Sequence, residues 1–325
     1  MRYLRPLMQV GPAEVEGAVP FGWCWFTQVE VLSRNAAPRV IRASELSVNE
    51  RARFAGPCST PRIMGILNTT PDSFSDGGAF DTLEARIAQG QALCAAGADI
   101  IDIGGESTRP GASPVIAETE IARTAPVIAG LRSAGVTTPV SIDTRKAAVA
   151  AAALDAGANI VNDVSGFTFD GDLAPLCAAR AVPVCVMHAQ GEPRTMQTNP
   201  TYDDVLLDVY DALSARIDSL VAAGIPRARI TADPGIGFGK TQAHNLAILN
   251  RISLFHGLGV PILLGASRKR FIGTIGNAPE ARDRAPGSIA VALAAIAQGV
   301  QIIRAHDVAE HAQAIALWRA AVAHP

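Results

Sequence analysis

From Arg62 onward the chain alternates short runs rich in Val, Ile and Leu with longer Ala-rich stretches of helical period, and it does so eight times. The strand-like runs are Ile63 to Leu67, Asp99 to Ile103, Pro139 to Ile142, Asn159 to Val161, Pro183 to Met187, Arg229 to Ala232, Pro261 to Leu264 and Gln301 to Ile303. Residues 61–325 shared among eight such units give about 33 residues each, near the ~250 residues in total of a closed (β/α)8 barrel. The spacing therefore predicts an α/β fold of the TIM-barrel type over 61–325 rather than an open sheet. A weak internal repeat agrees with this: Gly97, Gly157 and Gly299 each stand just before a strand, where glycine can take the left-handed conformation that ends the preceding helix.

Composition narrows the class further. With 49% hydrophobic but only 5% aromatic residues, the core must be built of small aliphatic side chains, as when helices pack on a buried parallel sheet. Lys plus Arg number 28 against 30 Asp plus Glu, so no broad cationic surface exists to hold a nucleic-acid backbone, and nucleic acid is not an expected partner. The five cysteines form no C-x-x-C pair and no zinc-like spacing with histidine, and read as reduced thiols. The first residues lack a continuous apolar signal segment, and no apolar run reaches the ~18 residues of a membrane span. A cytoplasmic protein without membrane contact is expected.

Residues 1–60 fall outside the repeat. Trp23, Trp25, Val29 and Val31 predict a strand or hairpin with one apolar face, and Asn35 to Pro38 reads as a turn. This N-terminal extension is expected to be structural, docking on the barrel or on a second subunit.

In a TIM barrel the interior is packed and chemistry sits at the carboxyl ends of the strands. Reading past each run finds Asn68, then Gly104 to Arg109, Asp143, Asn162-Asp163, Met187-His188, Asp233-Pro234-Gly235, Gly265 to Lys269, and Arg304 to Asp307. Packing alone does not explain polar or glycine-rich groups at every end. Asp143, Asn162 and Asp233 offer acceptors suited to the amidine or guanidine edge of a flat heterocycle. Arg304 and His306, with Lys269 nearby, form an anion pole at the position where barrels often bind phosphate. Asn68 and the loop to Gly78 carry oxygen donors suited to a Mg²⁺ ion held mainly by phosphate and water, and Gly77-Gly78 makes that loop a candidate lid. Elsewhere His188 reads as a core hydrogen-bonding residue, and His244, His256, His311 and His324 as surface residues. Lys240 reads equally as a ligand contact or a water-exposed lysine at a helix start, and Arg268 as a loop salt bridge.

Taken together, Met64 to Gly78, Asp102 to Gly111, Ser141 to Thr144, Asn162-Asp163, Asp233 to Lys240, Ser267 to Lys269 and Arg304 to Val308 closely resemble the dihydropteroate synthase family of pterin-binding barrels, across about residues 62–310. The resemblance implies the condensation of 6-hydroxymethyl-7,8-dihydropterin diphosphate with 4-aminobenzoate, Mg²⁺ as cofactor, a homodimer, and sulfonamides as competitors. By motif, Asp143, Asn162 and Asp233 bind the pterin edge and Lys269 its carbonyl and N5 side, while Met187, Phe238 and Gly265 line the ring faces. Asn68, Arg304 and His306 hold the diphosphate, with Asn68 also a Mg²⁺ ligand, and Lys269, Arg304 and His306 are the implied catalytic set. Thr108 contacts substrate from the second loop, and Arg109, Pro110 and Phe74 help form the aminobenzoate pocket. Arg270 departs from members that place there a serine contacting the aminobenzoate carboxylate. Two alternatives stand beside this reading: a methyltransferase barrel for methyltetrahydrofolate, disfavoured by Lys269 and Arg304-x-His306, and a catalytically silent pterin-binding paralogue.

Overall fold

A computed structural model describes residues 2–13, 15–54, 60–70, 82–107, 112–191 and 195–323. The N-terminal segment contains β1 (Tyr3–Pro6), β2 (Gln9–Val10), β3 (Val19–Phe21), β4 (Cys24–Phe26), β5 (Gln28–Ser33), β6 (Ala36–Arg42) and the short helix α1 (Val48–Ala52). These strands make two small antiparallel sheets, ordered β1-β5-β6 and β2-β4-β3. Leu4, Phe21, Phe26, Val29, Val31, Ile41 and Phe54 belong to a core of the segment's own. The expected turn at Asn35 to Pro38 is shorter than its composition implies: Ser33 already pairs with Ala36, and Pro38 lies within β6. Proline is tolerated there because β6 is the outer strand of its sheet, where a missing N–H breaks no ladder. The segment docks on the barrel through the Trp23 indole on the Ile296 carbonyl (2.9 Å), Ser253 Oγ on the Pro6 carbonyl (3.0 Å) and Tyr3 Oη on Asp211 (2.8 Å).

The barrel strands are β7 (Arg62–Asn68), β8 (Ile100–Gly104), β9 (Val140–Asp143), β10 (Ile160–Asp163), β11 (Val184–Met187), β12 (Ile230–Asp233), β13 (Leu263–Leu264) and β14 (Ile302–Ala305). They form one eight-stranded sheet, ordered β12-β11-β10-β9-β8-β7-β14-β13, parallel throughout. A parallel bridge between Ala232 and Ile262 joins its two ends and closes the ring. Around it lie α2 (Leu83–Ala95), α3 (Ala117–Ser133), α4 (Ala147–Asp155), α5 (Leu173–Ala179), α6 (Val205–Ala222), α7 (Gln242–Asn250), α8 (Arg270–Ile275), α9 (Ala285–Ile296) and α10 (Val308–Ala323). Among the described residues no helix is long and apolar enough to cross a membrane.

Side chains alternate across a strand, and that alternation builds the site. Outward-facing Ile63, Leu67, Ile101, Ile103, Val140, Ile142, Val161, Val184 and Val186 join the main core beneath the helices. A separate apolar cluster contains Met64, Ile100, Cys185, Leu263 and Ile302, with Ile160 packed against it. These residues plug the base of the barrel. Two positions further along the same strands, the same inner face carries Ile66, Asp102, Asn162, Met187, Gly265 and Arg304. Six of the eight strands run one or two residues further than the hydrophobic runs indicate, because the ladder continues past them: Asn162 pairs with Asp143, Gly104 with Asp143, and Met187 with Asp233. Asn68, Asp143, Asn162, Asp233 and Arg304 therefore sit on the sheet itself, whereas Lys269 and His306 lie just beyond strand ends.

Two of the histidines expected at the surface are buried. His256 lies in the 3₁₀ segment Ile252–Leu258 with its ring 4.5 Å from that of Phe21, and its Nε2 is 2.8 Å from the Gln298 carbonyl. Burial holds its pKa down at about 4, so it is neutral. His311 in α10 is buried with Nδ1 2.6 Å from the Asp307 carbonyl. His244 is half-buried at the start of α7, and His324 lies outside the described residues. The ring of Phe26 is fully buried between the extension's sheets and Phe54. Phe26→Ala is expected to cost about 3–5 kcal/mol of stability in urea unfolding. A loss below about 1 kcal/mol would show that the extension has no packed core of its own.

Candidate active site

At the mouth of the barrel one guanidinium ties three strands together. Arg304 on β14 donates through Nε to Asp102 on β8 (2.6 Å) and through an Nη to Asp143 on β9 (2.8 Å). Asp102 is fully buried, and its Oδ2 also accepts from the Asn162 side-chain amide at 3.3 Å. Its other oxygen has no hydrogen-bond partner, and neither does the neighbouring Ser141 hydroxyl. Asp102 is absent from the site predicted by sequence, although it opens the Asp102 to Gly111 motif. Strand parity is the signal that points to it, since Asp102 follows the inward Ile100 by two. Burial raises the Asp143 pKa to about 7: Arg304 opposes the rise, but the charges of Asp102 and Asp163 add to it.

Asp233, at the end of β12, is buried and caps its own turn, its Oδ1 accepting from the Gly235 N–H at 2.7 Å. Burial raises its pKa against the pull of Lys269. Lys269 at the start of α8 donates to the Ile236 carbonyl and holds its ammonium 4.5 Å from the centre of the Phe238 ring. Burial lowers the Lys269 pKa to about 8, which Asp233 counteracts. Gly265 leaves room between these groups, for a Cβ there would meet Asp233 Oδ2 at 3.4 Å and Arg304 Cδ at 3.9 Å. Met187 is buried at the end of β11 beside Asp233. Lys240 is neither exposed nor free to reach a ligand: it is 3% exposed and bonded to His188 Nδ1 at 2.8 Å and to the carbonyls of Gly235 and Phe238. The loop folds back over it, which local sequence does not reveal.

On the opposite side His306 Nδ1 lies 3.0 Å from Ser267 Oγ, which also accepts from the His306 N–H at 3.2 Å. Ser267 thus orients the imidazole, a role that the sequence does not show. Arg268, at φ 57°, turns away from the mouth to pair with Asp307 through Nε at 3.0 Å. Arg270 is exposed. Asn68 ends β7 at the rim, where a Cβ on Gly104 would lie between its Oδ1 and Asp143. Below the second loop Glu106 accepts from the Val115 N–H (2.9 Å), Arg145 (3.0 Å) and Lys146 (3.0 Å). Burial alone would raise its pKa, but these donors hold it below the ordinary value. Thr108, Arg109, Pro110, Phe74 and the lid glycines Gly77-Gly78 lie outside the described residues. Among the described residues no three His, Cys, Asp or Glu side chains gather as a metal-binding group.

The sequence profile of the family described as pterin binding enzyme matches residues 64–306. The chain belongs to this family. A dihydropteroate synthase of Synechocystis is 46% identical over 261 residues, spanning 79% of this chain and 90% of its own length. The structure of Xanthomonas albilineans dihydropteroate synthase with 4-aminobenzoic acid superposes with a TM-score of 0.77 at 44% identity, covering 82% of this chain and 94% of that one. Yersinia pestis dihydropteroate synthase, in a sulfonamide complex, gives 0.77 at 41% identity, covering 86% and 98%. The activity of the chain is that of a dihydropteroate synthase, a transferase of folate biosynthesis that joins 6-hydroxymethyl-7,8-dihydropterin diphosphate to 4-aminobenzoate and releases diphosphate. The matched region begins at residue 64, after the small sheets β1 to β6.

Asp102→Asn keeps the shape but removes the charge facing Arg304. It is expected to lower stability by about 1–3 kcal/mol, measured by urea unfolding at neutral pH. An unchanged midpoint would mean that Arg304 does not depend on Asp102.

Proposed function

We propose that the mouth divides its diphosphate substrate between two poles. Asp143, Asn162 and Asp233 take the amidine-like edge of the pterin, Lys269 its carbonyl and N5 side, and Met187, Phe238 and Gly265 its faces. The observation that carries this reading is the inner-face alignment of Asp102, Asp143, Asn162, Asp233 and Arg304 above an apolar cluster. Each pterin-facing group is fixed by a strand or a capped turn, so the acceptors are preorganised. Arg304, His306 and Asn68 hold the diphosphate, with Thr108 contacting substrate. Arg109, together with Pro110 and Phe74, forms the pocket where aminobenzoate and sulfonamides compete.

In the reaction the C–O bond from the pterin methyl carbon to diphosphate breaks, and the leaving group keeps the electron pair. The new bond joins that carbon to the aminobenzoate nitrogen, which gives up a proton. Arg304 and His306 stabilise the charge that develops on the departing oxygen, while the carboxylates face the positive charge spreading into the ring. No covalent nucleophile is required. Pterin diphosphate binds first, because a carbon that becomes electrophilic must be shielded from water before the arylamine arrives.

Asn68, which offers one amide oxygen at the end of β7, would hold a Mg²⁺ ion together with diphosphate and water. It supplies Lewis-acid neutralisation of the leaving diphosphate. The enzyme acts as a homodimer in the cytoplasm, whose reducing conditions suit the unpaired thiols of Cys24, Cys94, Cys177 and Cys185.

Diphosphate release that requires aminobenzoate tests the reaction. Asp233→Asn is expected to weaken free-pterin binding by more than about tenfold in calorimetry. Arg304→Ala is expected to impair turnover of the diphosphate substrate far more than binding of free pterin. Equal losses for both ligands in Arg304→Ala would reject the two-pole division.

The pH profile follows from the charged forms required. An ionised Asp143 accepts from the pterin edge, so kcat/KM for the pterin substrate should rise as pH increases through about 7. A protonated Lys269 is needed at the ring carbonyl, so the same constant should fall above about 8. Asp143→Asn is expected to abolish the lower limb alone, and a lower limb that survives this substitution would assign it elsewhere.

A further inference from the structure

The loop from Gly235 to Gly239 has nearly all of its backbone polar groups accounted for, and Lys240 supplies the central partner. The Gly235 N–H goes to Asp233, the Gly237 N–H to Asn245 (2.8 Å), the Ile236 carbonyl to Lys269 and the Gly239 carbonyl to Tyr202 (2.8 Å). The carbonyls of Gly235 and Phe238 converge on the Lys240 ammonium at 3.0 and 3.1 Å. The third ammonium proton faces β11, where His188 Nδ1 lies at 2.8 Å and the His188 carbonyl at 3.4 Å. An ammonium has only donors, so His188 Nδ1 accepts.

The loop is pressed close to the chain following β11 at both ends. A Cβ on Gly235 would fall 1.9 Å from the His188 carbonyl, and one on Gly239 would fall 2.3 Å from that of Gln190. With φ values of 68°, 81° and 62°, Gly235, Gly237 and Gly239 take the left-handed conformation, and the loop presents carbonyls to both lysines, those of Gly235 and Phe238 to Lys240 and that of Ile236 to Lys269.

We propose that Lys240 is a positioning residue for the pterin wall: clamped to His188 and two loop carbonyls, it fixes the Ile236 carbonyl that holds Lys269 and the Phe238 ring under that lysine, without touching substrate. This rests on the reading that Lys269, Phe238 and Asp233 bind the pterin. Its three protons are already committed, so the effect must pass through the loop. A lysine suits this place because its compact charge reaches three converging acceptors, whereas the planar guanidinium of arginine matches a fork. Burial lowers the Lys240 pKa to about 7 and that of His188 to about 3, as expected of groups enclosed together.

The test compares substrate constants rather than activity alone. Lys240→Met is expected to raise the KM for pterin diphosphate and the Kd for free pterin about tenfold, leaving the KM for aminobenzoate within about twofold. His188→Ala, which removes one partner and leaves the carbonyl clamp, is expected to move the same two pterin constants in the same direction by less. The double variant should be no worse than Lys240→Met. Equal rises in both KM values, or a wild-type pterin Kd in folded Lys240→Met protein, would overturn the proposal. If Lys240→Met does not fold, His188→Ala decides, and unchanged pterin constants there would overturn it. Asp233→Asn separates the two levels: if it too leaves pterin binding intact, the assignment of this wall to pterin has failed, whereas silence of the Lys240 and His188 variants alone removes only the positioning role.

Discussion

The site depends on a half-buried guanidinium shared between two carboxylates. Arg304, Asp102 and Asp143 come from three strands of one stretch of the curved sheet, with β14 beside β7, β7 beside β8 and β8 beside β9. A buried charge of either sign, left alone, would be costly enough to neutralise or to open the barrel to water. Shared, the charges hold the mouth in one geometry while leaving it polarised. Asp102, at 0% exposure, anchors the arrangement, and Asn162 is hydrogen-bonded to the same carboxylate.

The lower part of the barrel makes this arrangement possible. Met64, Ile100, Cys185, Leu263 and Ile302 form an apolar cluster at the base, beneath the polar layer of the same inner face. Burial is what raises the pKa values of Asp143 and Asp233 and lowers that of Lys269. Groups of opposite sign are thereby brought closer to neutral pH from both directions. That suits a reaction in which charge separates along one bond, because fixed dipoles and charges in a low-dielectric mouth act more strongly than the same groups in water.

Much of this is legible in the sequence because the barrel is periodic. The eight runs locate the strands, and the polar residue after each run locates the mouth. Asp143, Asn162 and Asp233 stand out because they interrupt apolar runs at their carboxyl ends. Asp102 is hidden inside its run, where only the period-two alternation from Ile100 shows that it faces inward. The environment of Lys240 is not legible, since it comes from a loop folding back onto the end of β11, a contact 52 residues away in the chain. His256 misleads for a similar reason: its ring is covered by Phe21 of the extension. Propensity describes a residue's neighbours along the chain, and these residues are defined by neighbours across it.

A structure determined with a dihydropterin diphosphate analogue and Mg²⁺ is the sharpest test of a mouth divided into two poles. The bicyclic ring is expected on the inner face within hydrogen-bond distance of Asn162 and Asp233, with the phosphates against Arg304 and His306 and Asp102 still bonded to Arg304. A ring bound elsewhere, with Arg304 closed over Asp143 and no phosphate beside it, would contradict that division.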